Sequence, residues 1–167
     1  MEIEFTNPDH LTADFVGEPG KRAFYIQAAE GTRDVTILVE KQQVAGLAEV
    51  LASLLEDLGD DVDAAWDIAS MRLRGPVEPR WRAGSLGVGV EPIEQRFAIE
   101  AVEFVPEDEL REPEQVRVWA TREQVRRLAA HASWSVEQGR PPCKLCGLPV
   151  DPEGHICPRT NGDARHA

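Results

Sequence analysis

A chain of 167 residues is long enough to bury one real core, and a composition of 42% hydrophobic and 29% charged residues suits a folding domain rather than a disordered segment. The formal charge of −12, from 30 acidic and 18 basic residues, excludes a body built to hold a phosphate backbone. No run approaches the length of a membrane span, and Met1-Glu-Ile-Glu-Phe-Thr lacks the regions of a secretion signal, so a cytoplasmic protein without a membrane partner is expected.

The first strands expected are Ala23–Ala28 and Val35–Val39, short runs of branched and aromatic residues separated by the turn formers Glu30-Gly31. A helix follows, because Val44, Leu47, Ala48, Leu51, Leu54, Leu55 and Leu58 recur at steps of three and four before Gly59 ends the stripe. Residues 60–79 read as an acidic connector with a short helix around Ala64–Met71. Its aspartates, Asp60, Asp61, Asp63 and Asp67, lack the central glycine and closing glutamate of a calcium loop. Three more strands are expected at Leu86–Val90, Phe97–Phe104 and Val116–Ala120. Thr121 with Gln124 then makes a capping box for a second helix, striped by Val125, Leu128, Ala129, Ala132 and Val136 and stopped by Gly139 and Pro141-Pro142.

The two halves look like copies. A shift of 81 positions superposes Val35, Ile37, Leu38 and Val39 on Val116, Val118, Trp119 and Ala120, and carries Lys41, Gln43, Val44, Leu47 and Ala48 onto Arg122, Gln124, Val125, Leu128 and Ala129. Phe24, Ile26 and Ala28 likewise match Phe97, Ile99 and Ala101. The expected fold is therefore α+β: duplicated antiparallel β-β-α units, halves of about 1–59 and 80–138, forming one continuous sheet with both helices on one face. Residues 139–167 form a separate tail.

That tail holds all three cysteines. Cys143-Lys-Leu-Cys146 supplies half of a tetrahedral thiolate site, Gly147 gives the turn that aims backbone amides at sulfur, and His155 with Cys157 supplies the other half. One structural zinc ion in a knuckle is expected, with His166 as a reserve ligand. A redox Cys-x-x-Cys fits less well, since Pro141-Pro142 and Pro149 surround it with turns instead of a helix N-terminus. Four protein ligands leave no position for a reactive water, and Glu153 is the only base nearby in sequence.

Elsewhere, Gly84, Gly87 and Gly89 with Ser85 make neither a P-loop nor a nucleophile elbow, and suit a bulged strand. His10 and His131 are read as non-catalytic. Four tryptophans, Trp66, Trp81, Trp119 and Trp134, are many for this length. Trp81, Trp119 and Trp134, with Arg159 of the tail, are the candidate contacts to a partner, weighed against an ordinary place in the core.

The segments Phe24-Tyr25, Leu38–Ala48, Trp81–Gly87, Gly139–Gly147 and Asp151–Arg159, with Asn161-Gly162, resemble an uncharacterised actinobacterial family, domain of unknown function 3090. The resemblance implies an actinobacterial cytoplasmic protein and carries no catalytic residues. Asp163 stands where that family's tail has an aromatic or basic residue, which speaks against a nucleic-acid contact there. The reading is thus a noncatalytic, zinc-stabilised adaptor or regulatory protein with a protein partner. Two alternatives stand beside it: a nucleic-acid-associated zinc protein using Arg140, Lys144, Arg159 and Arg165, and a small hydrolase or transferase with its site between the halves.

Overall fold

Among residues 1–62, 65–139, 143–148, 150, 154–159 and 162–164, which the computed structural model describes, alternating apolar residues set up strands and the three-and-four stripes set up helices. In chain order these are β1 (Glu2–Phe5), β2 (His10–Val16), β3 (Ala23–Glu30), β4 (Arg33–Val39), α1 (Lys41–Asp57), β5 (Ala83–Glu91), β6 (Arg96–Glu103), β7 (Gln115–Ala120), α2 (Arg122–Glu137), β8 (His155–Cys157) and β9 (Gly162–Ala164).

The body is α+β, as the sequence implies, but its strands form two sheets rather than one. They run β1-β7-β6-β5 and β2-β3-β4, and β1 lies parallel to β7 while the other pairings are antiparallel. The sheets meet where Arg80–Arg82 runs parallel to β4, with Leu38 N–H donating to the Trp81 carbonyl at 3.0 Å and Arg80 N–H to the Thr36 carbonyl at 2.8 Å. A bulge between Ala83 and Ser85 then turns β5 away toward β6. Gly84 permits it, since a Cβ there would come within 3.2 Å of the Phe104 backbone. Four strands are additional to the sequence reading, β8 and β9 in the tail and β1 and β2 in the body, although Ile3-Phe5 and Leu11-Ala13-Phe15 carry period-two patterns.

One core joins both sheets and both helices. It includes Phe5, Leu11, Ile26, Ile37, Phe97, Ile99 and Val118 from the strands, and Val44, Leu51, Leu55, Val125, Leu128 and Ala132 from the helices. Glu40 with Gln43 and Thr121 with Gln124 make capping boxes at the two helix starts. The hairpins preceding the helices have equal registers. Phe24, Ile26 and Ala28 face Val39, Ile37 and Val35, and Phe97, Ile99 and Ala101 face Ala120, Val118 and Val116.

The connector is a structural clamp rather than an idle acidic linker. The helix expected around Ala64–Met71 begins outside the described residues, as does Asp63, and what is described is one 3-10 turn at Ala69–Met71. The polar face of β2-β3-β4, with Thr12, Asp14, Gln27 and Thr36 all buried, lies under this segment. Thr12 donates to the Met71 carbonyl, and Asp14 accepts from Leu73 N–H at 3.1 Å. Gln27 pairs its whole carboxamide with Arg74, accepting from the backbone N–H at 2.8 Å and donating to the carbonyl at 2.9 Å. Asp60 binds Arg122 at the start of α2, with contacts of 2.6 and 2.9 Å.

Candidate metal centre

The Cys143–Cys146 turn is built by backbone bonds across it: Cys143 N–H donates to the Leu148 carbonyl at 2.8 Å and Gly147 N–H to the Cys143 carbonyl at 2.9 Å. Gly147 takes a φ of 76°, a left-handed conformation that glycine adopts without strain. Leu145 N–H reaches the Cys143 sulfur at 3.4 Å. The β8–β9 hairpin brings the second pair of ligands, with Gly154 at φ 99° preceding His155.

The ligand atoms of Cys143, Cys146, His155 and Cys157 all lie within 4.8 Å of one another, a cluster able to coordinate one metal ion. Cys143 Sγ is 4.0 Å from Cys157 Sγ, and Cys146 Sγ is 3.4 Å from His155 Nε2. Cys143, Cys157 and Val150 are buried in a small cluster of their own, separate from the body's core. The electrostatics are those of crowded thiols. Burial pushes the Cys143 thiol up, but the N–H groups of Cys146 and Leu145 and the neighbouring Cys146 and Cys157 thiols outweigh it and hold Cys143 below its ordinary value. The Leu148 N–H favours a Cys146 thiolate, yet burial and the Cys157 and Cys143 sulfurs prevail, and Cys146 sits above its ordinary value. A Cys143 thiolate is thus favoured over its neighbour and opposes a second negative charge beside it, an opposition that a central cation removes.

The candidate partner residues are dispersed. Trp81 is half-buried against the core and donates its indole N–H to Glu114 at 2.9 Å. Trp119 lies on the outer face of β7 and donates to Glu4 at 2.9 Å. Trp134 stacks on His131 with ring centroids 4.9 Å apart and also meets Phe15. Arg159 is exposed on the tail, as is Lys144, whereas Arg140, Glu153, Arg165 and His166 lie outside the described residues.

Sequence reasoning missed a buried group around Asp14. His131 and Asp14 are both fully buried, with His131 Nε2 3.3 Å from Asp14 Oδ1, while Trp66 donates its indole N–H to His131 Nδ1 at 3.2 Å. Arg72 Nε completes the set, 3.0 Å from Asp14 Oδ2. The only signal was the position of His131 three residues after Leu128 and four before Ser135, which places it on the inward side of α2. Its ring is enclosed by Trp66, Trp134 and Asp14, and the Trp66 bond ties the connector to α2.

The family described as "Protein of unknown function (DUF3090)" matches residues 3–157. No curated protein and no solved structure matches the chain. Among the described residues no helix is long and apolar enough to cross a membrane.

Proposed function

The chain belongs to the DUF3090 family, and we propose that it is a noncatalytic protein whose tail is held by one structural zinc ion and which acts through contact with a protein partner. The convergence of three sulfurs and one imidazole carries this reading. Tetrahedral zinc at about 2.3 Å from sulfur and 2.0–2.1 Å from nitrogen gives ligand separations of roughly 3.8 Å for two sulfurs and 3.5 Å for sulfur and nitrogen. The observed 4.0 and 3.4 Å stand close to both. A donor set of thiolates and imidazole favours zinc over the oxygen-seeking divalent ions.

The side chains around the ligands support a contact role. Val150 turns inward, but Leu145, Leu148 and Ile156 are 48%, 50% and 79% exposed, an apolar surface on a tail too small to need it for its own core. In the body, the equal hairpin registers and paired capping boxes support two copies of one β-β-α unit, halves 1–59 and 80–138 joined by 60–79. Purified protein should contain about one zinc per chain, and Cys143→Ser should lose it. Ile156→Asp should keep the zinc and lose a partner that the native chain recovers. Zinc-free native protein, or robust turnover without any partner, would refute the proposal.

A further inference from the structure

In a protein with 30 acidic residues a cation finds a carboxylate easily, and most arginines of the body do. Arg33, Arg72, Arg74, Arg80, Arg111, Arg117, Arg122, Arg126 and Arg127 all lie within 4.0 Å of one. Among the described residues of 1–139, the cations without such a partner are Lys21, Arg22, Lys41, Arg82 and Arg96. Arg96 binds the carbonyls of Thr6 and Trp119. Three of the remaining four, Arg22, Lys41 and Arg82, line a single cavity of about 490 Å³ with Phe24, Val39 and Gly139, and among the described residues Glu40 is the only acidic one in its wall.

The geometry there is that of a site lacking its counter-charge. Arg22 is fixed in place, donating to the Ser135 and Val136 carbonyls at 2.6 and 3.4 Å and lying 4.8 Å above the rings of both Phe15 and Phe24. A Cβ on Gly139 would sit 2.9 Å from Arg22 Nη2 and 3.2 Å from Lys41 Nζ, so the two cationic nitrogens stand no more than about 6 Å apart. Like charges so placed repel each other unless an anion lies against both. Lys41 is also the first residue of α1, whose positive dipole end adds to the same field.

The matching junction of the other half shows what fills such a place. Arg122 is the first residue of α2 as Lys41 is of α1, and both follow strands of equal register. Arg122 meets the carboxylate of Asp60, which comes just after Gly59 at the end of α1. After Gly139 the chain instead continues with Arg140, so the sequence supplies no carboxylate at the corresponding position.

We propose that the cavity formed by Arg22, Lys41, Arg82 and Gly139 binds the phosphate group of a small phosphate monoester. Two facing cations suit a dianion better than a single carboxylate, and the cavity volume fits a small molecule. A nucleic acid is disfavoured, because the surrounding body is strongly acidic.

The test is calorimetric titration of the zinc-loaded full chain with inorganic phosphate and pyrophosphate at low salt, with acetate and a short single-stranded oligonucleotide as separate arms. Phosphate and pyrophosphate should bind, and Lys41→Gln and Arg82→Gln, both at exposed positions, should each weaken binding by roughly tenfold. Gly139→Ala keeps every charge but puts a methyl group where the cations converge, and should weaken binding comparably. Arg33→Gln, at the opposite end of β4 from the cavity, should leave it unchanged. Absence of binding at millimolar phosphate, equal binding in Lys41→Gln, or acetate bound as well as phosphate would overturn the site. Tighter binding of the oligonucleotide that disappears in Lys41→Gln would overturn its assignment to a small molecule. If Gly139→Ala does not fold, the two charge variants decide alone.

Discussion

Replacing Gln27 with leucine keeps the volume of the side chain but removes its carboxamide from under the connector. Four hydrogen bonds go: those with the Arg74 N–H and carbonyl at 2.8 and 2.9 Å, and those with His10 Nε2 and Thr36 Oγ1, both at 3.2 Å. Arg74 is exposed, so water replaces much of what its backbone loses. His10 and Thr36 are buried, at 5% and 4% exposure, and each is left with an unmet polar group. A penalty of about 1–3 kcal/mol for each of the two stranded buried groups gives an expected destabilisation of about 2–6 kcal/mol. Urea unfolding followed by tryptophan fluorescence measures it, because all four tryptophans lie in the body. Hydrogen exchange at Leu73 and Arg74 should accelerate more than exchange in α1. A loss below about 1 kcal/mol with unchanged protection at Arg74 would refute the clamp and restore a loosely attached connector.

Chelation should expose residues of the tail to protease while leaving the fluorescence-detected urea midpoint of the body unchanged, since the Cys143–Val150–Cys157 cluster is separate from the main core; a shifted midpoint would show that the two are coupled. Thr121→Ala removes the side chain that accepts the Gln124 N–H at 3.2 Å, and should cost about 1 kcal/mol in the same unfolding assay. Burial, and next the Arg74 charge, lower the His10 pKa, so its neutral form is favoured in the fold. The stability this contributes is complete above the ordinary value of 6.5 and is lost as pH falls below it; His10→Gln should flatten that part of the pH dependence in chelated protein. Asp14 acts further down the scale. Burial raises its pKa, but the bond with His131 and the N–H groups of Phe15 and Leu73 outweigh it and leave a lowered value, so its contribution is present above 3.8 and is lost as pH falls through the folded value. Asp14→Asn should therefore narrow the difference in urea midpoint between pH 5 and pH 3.

The second helix was legible because it writes both its ends, Thr121 three before Gln124 and a glycine after the stripe, and the first from its stripe and Gly59; the Glu40–Gln43 box at its start is a finding of the structure. The cysteine–histidine cluster was legible for a different reason, since its four residues fall within fifteen consecutive positions and their chemistry is local. The strand β2 was not, because His10, Thr12 and Asp14 break the apolar run, and only the connector above them explains why polar side chains are buried there. A bulged strand around Gly84 was legible from its glycines, but the separation into two sheets was not, because the close approach of the Phe104 backbone to Gly84 is a contact that spacing does not reveal. The Asp14–His131–Trp66 group and the unpaired cations around Gly139 join segments far apart in sequence. A net charge of −12 conceals where the few free positive charges gather.

The parallel pairing of β1 with β7 ties the beginning of the chain to its later half. Glu2–Phe5 precede the first meander but complete the sheet of the second, with Gln115 N–H donating to the Met1 carbonyl at 3.0 Å. During synthesis the meander β2-β3-β4 can close as soon as it emerges, whereas β1 must wait until β7 has been made. Severing the chain between the halves would leave one fragment with a surplus strand and the other with an open edge, each complementary to the other. Co-expressed fragments divided in the connector should reassemble, and a second fragment made alone should recruit a synthetic peptide with the sequence of β1.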